Sequence, residues 1–277
     1  MIKQLASAST LALALMAQPA FAQDARTTFD GFYVGGAVGL ENVENGTKGL
    51  EFDTNRDGTF GDVVRTTTNA DAFSPGFCGG QALGNSAVAG CASDNDKFGY
   101  AVRVGFDKRF GDVVGGLLLE GANSKAVDYA TGFSTTPASY TYARSIDYSI
   151  AARARLGLSP GDGRGLLYAT GGVAYADIDR AFTTTNTANS FTLDDGGDEM
   201  EWGWQAGGGA EILLGSNLTV GFEYLYSKYN DDSFVTVGRG TAPATNPFLL
   251  NGGATDLRPA DRKIDQHAFR VTAGFQF

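Results

Sequence analysis

After residue 22 the chain has no apolar run approaching the roughly 20 residues that a membrane-spanning helix needs. If the remainder crosses a bilayer it must do so as a closed β-barrel, the other architecture that satisfies every backbone polar group in lipid. Positive charge is also scarce. With 21 Lys and Arg against 31 Asp and Glu, the net charge is −10, which excludes the clustered basic surface that nucleic-acid binding demands. Cysteine is limited to Cys78 and Cys91, and histidine to His267. Two thiols without a nearby His fall short of a zinc site. No cofactor is implied by any of these residues.

What is present starts with a leader. Lys3 supplies a positive n-region, Leu5 to Met16 an apolar run, and Ala20-Phe21-Ala22 an A-x-A cleavage site. Residues 1–22 therefore read as a secretory signal peptide and residues 23–277 as one exported domain. Export places Cys78 and Cys91 in an oxidising compartment, where a disulfide is expected. Closing so short a loop contributes on the order of 3 kcal/mol. The mature part is rich in Gly and in Phe and Tyr, with few helix-length periodic stretches, so it reads as all-β.

The clearest pattern is the C-terminal stretch Gln266 to Phe277. His267, Phe269, Val271, Ala273, Phe275 and Phe277 share one parity, and Gln266, Ala268, Arg270, Thr272, Gly274 and Gln276 the other. Alternate side chains of a strand point to opposite faces, so one face is apolar and the other small, polar or charged. The same alternation predicts strands over Gly31–Glu41, Lys97–Phe106, Val113–Ala122, Arg144–Leu158, Leu166–Tyr175, Met200–Ile212 and Leu218–Tyr229, with the facing of Leu166–Tyr175 least defined. Asp107–Asp112, Ser159–Gly165 and Leu213–Asn217 read as short turns. Asn42–Asp96, Asn123–Ala143, Asp177–Glu199 and Asn230–Lys263 read as long loops. Ser159–Gly165 is glycine-rich but lacks the G-K-[ST] ending of a phosphate loop.

Eight strands joined alternately by long and short connections match an outer-membrane barrel, with short periplasmic turns and long extracellular loops. A soluble sandwich is the competing arrangement. It does not account for aromatics sorted by height, with Phe32, Phe106, Phe275 and Phe277 at the turn ends and Tyr100, Tyr148, Trp202, Trp204, Tyr224 and Tyr226 near the loop ends. The expected fold is thus an eight-stranded antiparallel transmembrane β-barrel with four long extracellular loops.

The segments GFYVGGAVG, ARARLGL, YATGGVAY, GGGAEILL, EYLY and AFRVTAGFQF, with an inward Glu120, resemble the small outer-membrane barrels related to the OmpA transmembrane domain, also termed porin-family or opacity-like. The resemblance covers most of the mature chain except its loops. It rests on the order of the segments and the terminal Phe, since no single motif is specific. It implies residence in the outer membrane, contact with its lipids, and delivery by the barrel-assembly machinery through a C-terminal signal of Phe269, Val271, Phe275 and Phe277. The first loop, with its cysteine pair, is longer than such relatives lead one to expect.

The inward parity carries Arg103, Arg153, Arg155 and Arg270 together with Glu120, Asp147, Glu211 and Glu223. An eight-stranded barrel holds little besides its own side chains, so these charges are expected to pair in a salt-bridge network. Such a network either plugs the lumen, the favoured reading, or gates a narrow pore. A diffusion porin needs about sixteen strands. Enzymes of this class that act on lipid A use a His and a Ser at the outer interface; no Ser with an acidic partner is identifiable beside His267, and no enzyme is expected. Specific activity is more at home in the loops. Asp194–Glu199 (DDGGDE) misses the calcium-loop spacing and reads as solvated surface. The expected function is a structural surface protein supporting outer-membrane integrity. The alternatives are an adhesin, a loop-borne receptor for a ligand such as haem, or a narrow pore.

Overall fold

The computed structural model describes residues 29–43, 49–93, 97–194 and 198–277; the leader expected over residues 1–22 lies outside them. In the first half the strands are β1 (Gly31–Val43), β2 (Leu50–Asp53), β3 (Gly76–Gly79), β4 (Gln81–Ala82), β5 (Cys91–Ala92), β6 (Lys97–Phe110), β7 (Val113–Asn123) and β8 (Val127–Ser134). The second half adds β9 (Ala138–Leu158), β10 (Gly165–Thr184), β11 (Ser190–Leu193), β12 (Asp198–Leu214), β13 (Leu218–Asn230), β14 (Val235–Gly238), β15 (Thr255–Pro259) and β16 (Lys263–Gln276).

The long strands close on themselves. β1 pairs with β6, β6 with β7, β7 with β9, and β9 with β10. β10 then pairs with β12, β12 with β13, β13 with β16, and β16 returns to β1, every pair antiparallel. Closure removes the free edge that an open sheet presents to other chains. At one end the strands are joined by tight turns. Gly111 and Gly215 sit there at φ +64° and +67°, a left-handed conformation that costs glycine little. β6 runs to Phe110, so the turn expected over Asp107–Asp112 shrinks to Gly111–Asp112 and Asp107 becomes a strand residue facing the lumen.

Side-chain polarity is inverted relative to a water-soluble sheet. Trp204 and Phe269 are 47% and 64% exposed on the outer surface, whereas Arg153 is only 1% exposed inside. Near the turns, Phe32 stacks beside Phe106 with ring centroids 4.8 Å apart. Toward the other end Tyr175 packs on Trp202 and Tyr224 on Phe269. Phe222, opposite Val271, projects from the band between these levels. β10, the strand of uncertain facing, buries Leu166, Tyr168, Thr170, Ala174 and Ala176.

The long connections are far more ordered than expected. β10 runs well past Tyr175, and β9 begins at Ala138 rather than Arg144, receiving β8 and then β3 along its upper part. β11, β14, β15 and β2 form a second antiparallel sheet. Together these segments build a cap with its own core, in which Leu50, Phe52 and Phe73 meet Tyr140, Val235, Phe248 and Leu257. The rings of Phe52 and Phe73 lie 4.5 Å apart, and those of Tyr140 and Phe248 5.6 Å. The physical reason that sequence periodicity missed these strands is two-sided burial. Ala138 to Tyr142 are buried without interruption, as are Ala130 to Phe133, and strands covered on both faces lose the alternation that marks a half-buried one.

Candidate functional site: the charged interior of the barrel

Along the barrel axis the interior is layered. At the turn end, Phe29, Val114, Leu166, Tyr168 and Leu213 form an apolar floor. Above it stands a ring of charge. Arg103 donates to Glu211 at 2.9 Å and to Glu223 at 3.2 Å. Arg153 bridges Glu120 at 2.5 Å and Glu223 at 3.3 Å. Arg155 reaches Glu211 at 3.0 Å and Asp107, while Arg270 holds Glu120 at 2.7 Å and Glu41 at 2.9 Å. The Tyr168 hydroxyl donates to Glu223 at 2.9 Å, and Gln266 donates its side-chain N–H to Glu41 at 3.0 Å. The Arg155 guanidinium lies over the rings of Tyr33 and Tyr168 at 4.9 and 4.8 Å, a cation–π arrangement that suits a desolvated cation.

Four guanidinium groups therefore meet five carboxylates, all buried. Buried charge is tolerated only when paired and hydrogen-bonded, and here each carboxylate except Glu41 and Asp107 is shared between two arginines. A small cavity bordered by Tyr33, Asp107, Arg155, Glu211 and Gln276 lies beside this ring.

Above the ring, Val43, Ala126, Ile146, Ala151, Ala176, Ile178 and Ile264 form a second apolar layer. A second ionic cluster stands on top, under the cap. Arg144 donates to Asp128 at 3.0 Å and to Asp231 at 3.4 Å, and Arg180 to Asp231 at 3.0 Å and Glu201 at 3.2 Å. Ser233 bonds both Asp231 and the Tyr142 hydroxyl, tying this cluster to the cap core.

Seven of the eight charges expected in the lumen network, Arg103, Glu120, Arg153, Arg155, Glu211, Glu223 and Arg270, sit in this ring. Asp147 does not. Its side chain is 45% exposed and pairs with Lys125 at the barrel rim. The cause is a register shift in which Asp177 faces Tyr148 but Ile178 faces Ile146, leaving Asp147 as an unpaired extra residue. A β-bulge of this kind reverses parity beyond it, so Ile146, expected outside, is buried. Two members of the ring were missed. Glu41 shares the inward parity of Tyr33 and Ala37, and Asp107 that of Arg103 and Gly105, so the signal was present. Glu201 likewise shares the inward parity of Gln205 and Glu211, whereas Asp128, Arg144, Arg180 and Asp231 gave no such signal, because they lie where strands were expected to have ended or barely begun.

Cys78 and Cys91 form a disulfide, as expected. Phe269, Val271, Phe275 and Phe277 all face outward on the closing strand, with the Phe277 N–H bonded to the Phe32 carbonyl at 2.8 Å. His267 accepts or donates one hydrogen bond, to the Tyr224 hydroxyl at 2.7 Å. Of the acidic run Asp194–Glu199, residues 195–197 lie outside the described residues.

A closed antiparallel sheet, apolar outside and ionic within, defines a β-barrel built for lipid surroundings. The chain belongs to the family of the outer membrane protein beta-barrel domain, whose model matches residues 8–277, and it is an outer-membrane protein. It is 30% identical over 132 residues to the 31 kDa outer-membrane immunogenic proteins of Brucella melitensis and Brucella suis. That match covers 48% of this chain and 46% of each relative, so under half of their length is spanned. Among solved structures, the outer membrane protein OprG from Pseudomonas aeruginosa superimposes with a TM-score of 0.52 at 11% identity, over 92% of this chain and 100% of that one. This likeness concerns the fold.

Proposed function

We propose that the protein is a structural, non-catalytic component of the outer membrane, an eight-stranded barrel plugged by its own ion pairs that presents a folded cap at the cell surface. In this reading residues 1–22 are removed on export, the four long connections lie outside the cell, and Phe277 with Phe269, Val271 and Phe275 addresses the barrel-assembly machinery. The observation that carries it is the ring around Arg153, where every guanidinium is buried and bound to at least one carboxylate from a strand that is not its neighbour in the sheet. In this reading that layer of paired charges blocks the lumen to water and ions. The discriminating experiment is planar-bilayer recording of the refolded protein, with heat-modifiable gel migration reporting barrel closure. Closed barrels that pass no stepwise current fit the reading, and steady ion conductance refutes it.

A second reading, an adhesin or a receptor for a ligand such as haem, is favoured by the cap itself. Four separate connections converge on one core around Phe73 and Tyr140, which is more order than a passive surface requires. Because the first loop contributes Leu50, Phe52 and Phe73 to that core, deleting residues 42–96 perturbs all four connections. Exposed cap substitutions tested for host-cell or haem binding separate presentation from folding.

A further inference from the structure

From Ala72 to Ser93 the chain carries no charged side chain, its longest such run, although one residue in five elsewhere is Asp, Glu, Lys or Arg. Within that run the Cys78–Cys91 disulfide closes a hairpin formed by β4 and β5. Its tip exposes apolar groups, Leu83 at 65% and Val88 at 98%. Two-residue strands do not hold a hairpin together by themselves. The disulfide supplies the clamp, reinforced by the Leu83 N–H bonded to the Gly90 carbonyl at 3.1 Å. Packing at its base is close enough that a Cβ on Gly80 would meet the Ala92 carbonyl oxygen at 2.0 Å.

Register gives the direction of the hairpin. β8 climbs away from the barrel, since Val127 is opposite Ser145 and Ser134 opposite Ala138. β3 is antiparallel to β8, with Gly76 opposite Phe133 and Gly79 opposite Ala130, so it descends toward the barrel. The Gly80 N–H still bonds the Tyr129 carbonyl at 3.1 Å, which keeps Gln81 and Ala82 on that descending line. Continued, the line carries the tip toward the height of Tyr100, Asn123 and Tyr148, which stand opposite one another across β6, β7 and β9. Tyr100 and Tyr148 belong to the lipid-facing surface at the cap end, as does Phe98 at the start of β6. The lumen is already filled, so a tip this exposed lies outside the cylinder.

We propose that Leu83 and Val88 form a disulfide-clamped tip that seats in the lipid interface on the cap side of the membrane, beside Phe98 and Tyr100. The partner is the lipid surface itself. The tip is uncharged and exposes Leu83 and Val88, and its line of descent runs toward the outward face of a protein that resides in the outer membrane. Apolar side chains at this depth gain by leaving water, while charges there would resist it. The clamp keeps both side chains pointed at the bilayer, which a free loop of this glycine content would not.

The test places a reporter at the tip. Val88→Trp is introduced together with Trp202→Phe and Trp204→Phe, and the full chain is reconstituted in phosphatidylcholine vesicles with or without acyl-brominated lipid. The expected result is blue-shifted emission, loss of most of the intensity in brominated vesicles, and insensitivity to iodide. Water-like emission that iodide quenches and brominated lipid does not would overturn the proposal. Protection from iodide without quenching by brominated lipid, accompanied by cross-linked pairs, would assign the tip to a second copy and overturn it equally. Heat-modifiable migration of the triple variant reports barrel closure independently of the tip, and quenching of Trp202 and Trp204 by brominated lipid in the unsubstituted protein reports insertion, so failure of the tip is distinguishable from failure of the barrel.

Discussion

Glu120 and Glu223 share one cation, and the consequence of removing them follows from counting what Arg153 keeps. In Glu223→Ala, Arg153 retains Glu120 and Arg103 retains Glu211. In Glu120→Ala, Arg153 retains Glu223 and Arg270 retains Glu41. Breaking a buried pair costs about 3–5 kcal/mol when it strands a charge, and because each single change leaves every arginine a partner, each belongs at about the lower end of that range. The double substitution leaves Arg153, 1% exposed and with its Nε already lacking a partner, without any carboxylate. Its loss should exceed the sum of the single losses by about 1–3 kcal/mol, the usual coupling within one ion-pair network. Asp147→Ala is the control, since a pair as exposed as Lys125–Asp147 is worth no more than about 1 kcal/mol. Urea titration of the protein in vesicles, followed by emission from Trp202 and Trp204, measures all four. Strict additivity of the two glutamates, or a Glu223→Ala cost no larger than that of Asp147→Ala, refutes the account of a shared, desolvated network.

Other substitutions probe the remaining layers. At Gly39, where a Cβ would lie 2.0 Å from the Phe269 carbonyl oxygen, Gly39→Ala should destabilise the β1–β16 seam by about 1–3 kcal/mol, read by the same titration. Arg144→Met strands Asp128 and weakens the hold on Asp231; limited proteolysis should then cut the cap faster while heat-modifiable migration persists, and an unchanged digest would remove the cluster's anchoring role. Phe277→Ala should lower the amount of inserted protein in cells while leaving refolding in detergent intact, whereas equal insertion would show that the terminal ring is not read during assembly.

Much of the barrel was legible because its determinants are local. In β1, Phe32, Val34, Val38 and Leu40 face outward against Tyr33, Ala37 and Glu41, and that parity is written in consecutive residues. Arg103, Arg153, Arg155 and Arg270 could be placed inside by the same rule, whereas Glu41 and Asp107 were overlooked where the rule applied equally. The cap was hidden. In β8 and upper β9 the burial that stabilises the strands comes from both sides at once, so the sequence shows a polar and aromatic mixture with no period.

By itself, then, the amino-acid order determined which residues alternate, which face of each long strand is greasy, and that charge must fill the interior. The tertiary structure decided the rest: the bulge that turns Asp147 outward, the partners among which Arg153 is divided, and the convergence of four connections on one core. A strand's own sequence sets its two faces through geometry two residues long. Its register, and what covers it, depend on neighbours far along the chain, 229 positions away in the case of Glu41 and Arg270.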